Sequence, residues 1–278
     1  MKAPFPYYGN KRPIAPEIWR RLGDPLYYFE PFAGSLGALL ERPQTGKHEC
    51  VGDTDCQITN FFRAAQYGDH RELARLAQWP VSQLDLQART KWLKRQRKRL
   101  HDNLSNDPKW YDLECAAWYA WMQSVKISAN GATIILGRTA GVHRKTQDLE
   151  EYFGSLKNRL KDVVIGYGDW TRIANAALSN EKRADCAIMF DPPYDTSTGR
   201  QKNLYVHDSH DVSPFVRRWA LARAKTHPRL RIALCGYEGE HKMPDDWEEL
   251  PWWSQWGKGR ERIWFSPNCL KVSEAKSA

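Results

Sequence analysis

The sequence predicts an α/β fold, a sheet whose strands alternate with helices, carrying a mostly helical segment set into it. Two stretches carry that expectation. Leu26-Tyr27-Tyr28-Phe29-Glu30 reads as a strand, Pro31-Phe32-Ala33-Gly34-Ser35-Leu36-Gly37 as a glycine turn, and Ala38-Leu39-Leu40 as the start of a helix; a second strand near Glu49-Cys50-Val51-Gly52 then ends at Asp53. Farther on, the apolar run Ala187-Ile188-Met189-Phe190 reads as a buried strand and ends in Asp191-Pro192-Pro193-Tyr194. In open α/β sheets ligands bind outside the carboxyl ends of the strands. Both stretches therefore put chemistry-bearing residues where such a sheet would use them.

The second stretch has the more specific chemistry. Each proline fixes its own φ and lacks an N–H, and each biases the residue before it toward extended geometry. Asp191 is thus held at a defined angle beside carbonyls that meet no N–H from the residue after them. An acidic acceptor next to carbonyl acceptors suits an amino group with two hydrogens to donate. Tyr194 adds a flat face for a planar ring. The plainer alternative is a strand ending in a Pro-Pro turn with a surface Asp.

In the first stretch, strand, glycine turn and helix would present backbone N–H groups to an anionic ligand. Asp53 follows Gly34 by 19 residues, the distance at which an acidic residue commonly takes a ribose hydroxyl. The turn has neither a complete G-x-G-x-x-G nor a G-K-S/T. That argues against NAD and ATP and leaves other nucleoside cofactors open.

With 278 residues the chain suffices for one large domain or a domain with an insertion. It has 42 Lys and Arg against 33 Asp and Glu, a net charge of +9, which favours a polyanionic partner. Aromatics make up 12% and include 13 Trp, an abundance that suits nucleic-acid surfaces as well as large cores. The six cysteines form no C-x-x-C pair, which argues against a zinc site. The amino terminus has no signal-peptide h-region, and no apolar run approaches membrane-spanning length, so a cytoplasmic protein with reduced thiols is expected.

Taken in order, Pro4 to Lys11 is a loop in which Lys11, beside Tyr7 and Tyr8, is placed to grip a carboxylate and a ring, or is simply solvated. A helix follows around Ile14 to Leu22. From Phe61 to Trp121 the pattern is helical. Within it Lys91, Lys94, Arg95 and Lys98 fall on one helical face, either a phosphate-tracking stripe or a solvated surface. Cys115 to Met122 is apolar all round and reads as a buried helix. Two Gly-punctuated basic loops, which include Asn130, Arg138, Arg144 and Lys145, suit contact with DNA. A helix over Leu149–Leu160 and a strand over Val163–Gly166 lead to Asp169, either an acceptor for an adenine amino group or a helix cap. The long polar segment 195–211 reads as a binding loop. A helix over Phe215–Ala224, a strand over Arg231–Cys235 and strands near Leu250 and Ile263–Phe265 complete the sheet.

These motifs together, in this order, resemble the Dam-type (D12 class) DNA adenine-N6 methyltransferases. Pro4–Lys11 is similar to the family's amino-terminal motif, Glu30–Gly37 to its E-P-F-x-G motif and Gly52–Phe62 to its N-D-I-N-x-x-L-I-N-F-Y motif; Asp191–Tyr194 matches its catalytic tetrad. Glu261-Arg262-Ile263-Trp264-Phe265-Ser266-Pro267 resembles a tail of phage-type members. The departures are Asn10, where a second Gly is usual, and Leu36, which replaces the second Gly of F-x-G-x-G.

The resemblance implies a class I methyltransferase fold, a Rossmann-like mixed seven-stranded sheet. Its catalytic domain would span residues 1–62 and 138–278, with a target-recognition insert over 63–137. It implies S-adenosylmethionine as methyl donor, no metal, and double-stranded DNA as partner, in a bacterial or phage-infected cell and in a restriction-modification or phage setting. A monomer is expected. Tyr7, Lys11, Glu30, Phe32, Gly34, Asp53 and Asp169 would hold the cofactor. Asp191, Pro192, Pro193 and Tyr194 would act on a flipped adenine. The alternatives are an amino-methyltransferase for cytosine N4 or RNA adenine, and a non-catalytic DNA-binding relative.

Overall fold

The computed structural model describes residues 1–43, 47–126, 141–143, 148–194, 212–253 and 260–272. Asn130, Arg138, Arg144, Lys145 and the segment 195–211 lie outside the described residues. The strands are β1 (Tyr27–Glu30), β2 (His48–Asp53), β3 (Val163–Tyr167), β4 (Cys186–Phe190), β5 (Leu230–Tyr237), β6 (Glu248–Trp253) and β7 (Arg260–Phe265). The helices are α1 (Ala15–Leu22), α2 (Cys56–Tyr67), α3 (His70–Ala77), α4 (Gln83–Asn106), α5 (Leu113–Val125), α6 (Leu149–Leu160), α7 (Trp170–Glu181) and α8 (Val212–Thr226).

The strands form one seven-stranded sheet in the order β3-β2-β1-β4-β5-β7-β6. β1, β4 and β5 run parallel, while β7 is antiparallel to β5 and to β6. This is the mixed sheet expected above. The strand order reverses between β1 and β4, so their adjacent carboxyl ends form a topological switch point, where open α/β sheets take ligands. β4 is buried along its whole length, which explains its unbroken apolar run. No helix among the described residues is long and apolar enough to cross a membrane.

The chain divides into two compact units. One comprises Met1–Asn10, Ala33–Gly37 and Val51–Trp170; the other comprises Lys11–Phe32, Ala38–Cys50 and Thr171–Ala278. In the first, Phe5 is buried among aromatic rings. It meets Phe61 at 5.0 Å and Tyr119 at 5.2 Å, both edge-on, and Phe62 at 6.1 Å. That plug fixes the amino-terminal loop on α2 and α5. Helix α4 buries Leu86, Leu93 and Leu100 at seven-residue spacing, and Lys91, Lys94, Arg95 and Lys98 are exposed on it. Arg97 instead turns inward, 3.1 Å from Asp55, the residue that caps α2.

In the second unit, Trp19 of α1 donates from its indole to the Ala38 carbonyl at 2.9 Å. The helix expected from Ala38 is only a single 3-10 turn, Leu39–Glu41. The reason is Pro43, which disfavours helical geometry at the residue before it; Arg42 accordingly has φ −59° and ψ 126°. No helix dipole therefore backs the glycine turn.

Asn60 explains one residue of the Gly52–Phe62 motif. It is fully buried, donates to the Asp112 carbonyl at 2.9 Å and accepts from the Asp112 N–H at 2.7 Å, which pins the start of α5 to α2. Asn60→Leu strands both backbone groups, and the expected loss is about 2–4 kcal/mol in denaturant unfolding. An unchanged midpoint contradicts the pinning role.

Candidate active site

In the second unit, Asp191 follows directly on β4 and stands beside the end of β1. Lys11 lies against it, with Nζ 2.7 Å from Asp191 Oδ2 and 3.5 Å from Glu261 Oε2. The Tyr194 hydroxyl lies 3.0 Å from Asp191 Oδ1 and 3.2 Å from Glu261 Oε2, close enough to donate to either carboxylate. Lys11 Nζ also sits over the rings of Tyr194 and Trp252, 5.4 and 5.5 Å from their centroids. Four groups from three stretches of chain thus form one network: one cation, two carboxylates and a phenol.

Burial sets its electrostatics. Lys11 and Glu261 are 2% exposed and Tyr194 is 3% exposed, while the Asp191 side chain keeps 19%. Burial opposes the charge on Lys11, but Asp191 and Glu261 outweigh it and hold the ammonium well above its ordinary pKa. Burial raises the Asp191 pKa, against the pull of Lys11. With the ammonium and both carboxylates ionised and the phenol neutral, the cluster is one negative charge in excess, a surplus that suits an incoming positive charge or proton.

Glu261 is the member missed by sequence reasoning. It points inward from β7, while the next residue, Arg262, reaches Glu249 at 2.7 Å. The available signal was a Glu beside the apolar Ile263-Trp264-Phe265 run, since a Glu buried in a strand needs a cation. Nothing local identifies that cation as Lys11.

Glu30 ends β1 beside this network. It is 2% exposed, accepts from the Tyr28 hydroxyl at 3.1 Å and from the Leu39 N–H, and so braces the 3-10 turn. Burial is the main cause that raises its pKa to about 8, with Asp191 adding to the rise. Phe32 packs on Phe190, with ring centroids 6.4 Å apart. Pro192 is buried and Pro193 half-buried.

The first unit holds a second cluster. Gly34 has φ +49°, and a Cβ there would lie 2.8 Å from the Tyr7 ring, so this position needs glycine for both its conformation and its space. The Gly34 N–H donates to Asp53 Oδ2 at 3.0 Å, and the Asp55 N–H donates to Oδ1 at 2.8 Å. Burial raises the Asp53 carboxyl to about 7. The Gly168 N–H donates to the Asp53 carbonyl at 3.2 Å, which draws the turn bearing Asp169 toward Asp53; Asp169 itself is exposed. The structure thus brings Tyr7, Gly34, Asp53 and the Asp169 turn together, and gives Asp53 a further task, closing the glycine turn.

Leu36 shows what its departure from glycine entails. It is the one non-glycine residue among those described with positive φ, +58°, and its N–H closes the turn onto the Ala33 carbonyl at 2.7 Å. A left-handed residue with a Cβ costs about 1–2 kcal/mol. Full burial of the leucine side chain contributes about 1.5–3 kcal/mol, enough to offset it.

Two observations bear on cofactors. Ser35 Oγ is buried without a hydrogen-bond partner beside Gly34. Among the described residues, no group of three or more His, Cys, Asp or Glu is arranged to hold a metal ion.

The buried Glu30 yields a pH prediction. Its folded pKa of about 8 exceeds the ordinary 4.5, so the folded chain binds more protons than the unfolded chain between those values. Its contribution to stability is full below the unfolded pKa and is lost as pH rises through the folded one. The slope is at most about 1.4 kcal/mol per pH unit for one group. Glu30→Gln should flatten the fall in unfolding free energy between pH 5 and 8. An equal slope in both proteins contradicts this.

A model of the D12 class N6 adenine-specific DNA methyltransferase family matches residues 7–227. No curated protein matches the chain. Two solved structures of the rRNA methyltransferase aviRa from Streptomyces viridochromogenes are similar at 17% identity; the match covers 96% of this chain and 89% of that chain in each case, with a TM-score of 0.34. So slight a likeness has no bearing on function. The family match takes in Lys11, the glycine turn, Asp53 and Asp191 to Tyr194, and ends before Glu261. The chain belongs to the D12 class N6 adenine-specific DNA methyltransferase family.

Proposed function

We propose that the protein transfers the methyl group of S-adenosylmethionine to the N6 amino group of an adenine extruded from duplex DNA. The observation that carries this reading is the Lys11–Asp191–Tyr194–Glu261 network at the switch point of the sheet. Family membership supplies the reaction class.

Tyr7, Gly34, Asp53 and Asp169 would hold the donor. The residues fit it: the Tyr7 ring lies against Gly34 as a flat surface beside the turn, Asp53 is partly exposed, and Ser35 Oγ lacks a partner. Asp53 already accepts from N–H groups, and each carboxylate oxygen has a second lone pair for a ribose hydroxyl. When bound, the donor supplies an electrophilic methyl group on a sulfonium.

The acceptor amine is a poor nucleophile, because its lone pair is delocalised into the ring. Asp191 and a backbone carbonyl of the tetrad would accept its two N–H bonds and hold the nitrogen out of conjugation. The lone pair then forms the new N–C bond as the C–S bond breaks. Positioning supplies most of the rate. Lys11 fixes the Asp191 carboxylate through one oxygen, and the Tyr194 hydroxyl fixes it through the other. The nitrogen sheds a proton after transfer, and the surplus carboxylate of the network can take it. Stacking of adenine on Tyr194 would be an opening event, since that side chain is 3% exposed and meets Tyr237 edge-on at 4.8 Å.

Lys91, Lys94, Arg95 and Lys98 on α4 would track DNA phosphates, with Asn130, Arg138, Arg144 and Lys145 as further contacts. Extruding the base costs a few kcal/mol.

The test is transfer of labelled methyl from S-adenosylmethionine to duplex DNA, followed by digestion to nucleosides. N6-methyladenine is expected from the wild type, and at least a 1,000-fold lower rate from Asp191→Ala, with duplex affinity kept within about threefold. N4-methylcytosine as sole product, label in RNA alone, or full turnover by Asp191→Ala contradicts the proposal.

A further inference from the structure

Within the first unit, α3, α4 and α5 enclose a basin of about 840 Å³, in the size range of ligand pockets. Its wall includes Trp79, Arg89, Trp92 and Trp118, and its rim includes Lys91 and Arg95. The Arg89 guanidinium lies 4.6, 4.4 and 4.7 Å from the rings of Trp79, Trp118 and Trp121. Arg89 is 5% exposed, and its Nη1 is buried with no hydrogen-bond partner. Burial lowers its pKa, against the pull of Asp85 and Glu114.

This arrangement differs from an ordinary core. A buried guanidinium is normally matched by a carboxylate in a forked hydrogen bond. Here Asp85, one of the two acids that pull on Arg89, accepts instead from the Trp79 indole at 3.2 Å. Trp79 remains 47% exposed and Leu84, on the same basin, 79% exposed. The basin thus has flat aromatic surface, a donor short of an acceptor buried behind the tryptophans of its wall, and cations at the mouth. A neutral ring with acceptors on its edge, tethered to phosphates, complements all three.

We propose that this basin binds an unpaired nucleobase of a DNA strand. Its ring stacks on Trp79, its acceptor edge faces Arg89, and the neighbouring phosphates lie on Lys91 and Arg95. Asp85 and Glu114, the acids of the wall, exclude a second phosphate from the interior and favour a base that also carries an amino group. The proposal rests on DNA being the partner, but not on the methyl-transfer chemistry. It gives the protein a base-holding site in its helical region, apart from the one that would take the reacting adenine.

The experiment uses the full chain, a labelled twelve-nucleotide single strand of mixed sequence, and a strand of the same length with every base removed. Anisotropy should show about tenfold tighter binding of the base-bearing strand, the size expected of one stacked base. Trp79→Ala should abolish that preference and leave affinity for the abasic strand unchanged; Trp79→Phe, which keeps a ring, should restore part of it. Equal binding of both strands by the wild type overturns the proposal and leaves the basin to a protein partner. Survival of the preference in Trp79→Ala, or failure of the wild type to bind either strand, also overturns it. Methyl transfer to duplex DNA by the same preparation judges the proposed reaction separately.

Discussion

A single buried ion cluster organises the second unit. Lys11 is out of water, and so are most of Asp191 and Glu261. A lone ammonium there would not remain charged, and removing one partner of such a set commonly costs about 3–5 kcal/mol. The sheet meets the requirement by bringing β4 and β7 into register with β5 between them, so that Asp191 and Glu261 converge on one nitrogen. Tyr194 then has only one sensible place for its hydroxyl, between the same two carboxylates. An apolar set of similar volume would often be as stable or more so. The network is therefore better explained by what it does to Asp191, whose carboxylate is clamped through both oxygens, than by stability.

The glycine turn obeys a different constraint, that of space. Tyr7 is fixed because Phe5 is anchored in the aromatic core, and its ring leaves no room for a side chain at Gly34. Asp53 then closes the turn from β2. Leu36 shows how far the turn tolerates change: the left-handed backbone persists without glycine because the leucine side chain is completely buried. Glu30, at the other end of the turn, keeps a proton near neutral pH and so adds no full charge to those of Asp191 and Glu261.

Much of this was legible in the sequence. Period and punctuation marked β1, β4, α6 and the apolar α5, because burial on both faces or along one stripe leaves a pattern that survives any tertiary context. Asp191 and Gly34 were legible because proline and glycine impose backbone geometry locally. The helix expected from Ala38 failed on a local signal that was present, Pro43, whose effect on Arg42 outweighed the apolar Leu39-Leu40 pair. What stayed hidden was pairing at long range. Lys11 looked like a cofactor residue or a solvated lysine; its meeting with Glu261 depends on the antiparallel strand β7. Arg89 carried no mark in a run of basic residues, since only the packing of α4 on α5 turns it inward among the tryptophans while Lys91 and Arg95 stay exposed.

The role proposed for Lys11, to hold Asp191, can be separated from donor binding in one comparison. Lys11→Met is compared with wild type by single-turnover methyl transfer at saturating S-adenosylmethionine and by calorimetric titration of that cofactor, on protein shown to be folded by circular dichroism. The account predicts a transfer rate at least 100-fold lower, with cofactor affinity within about threefold, because a loosened carboxylate misplaces the acceptor amine. A wild-type transfer rate at saturation with cofactor affinity largely lost would contradict it, and would place Lys11 with the donor instead.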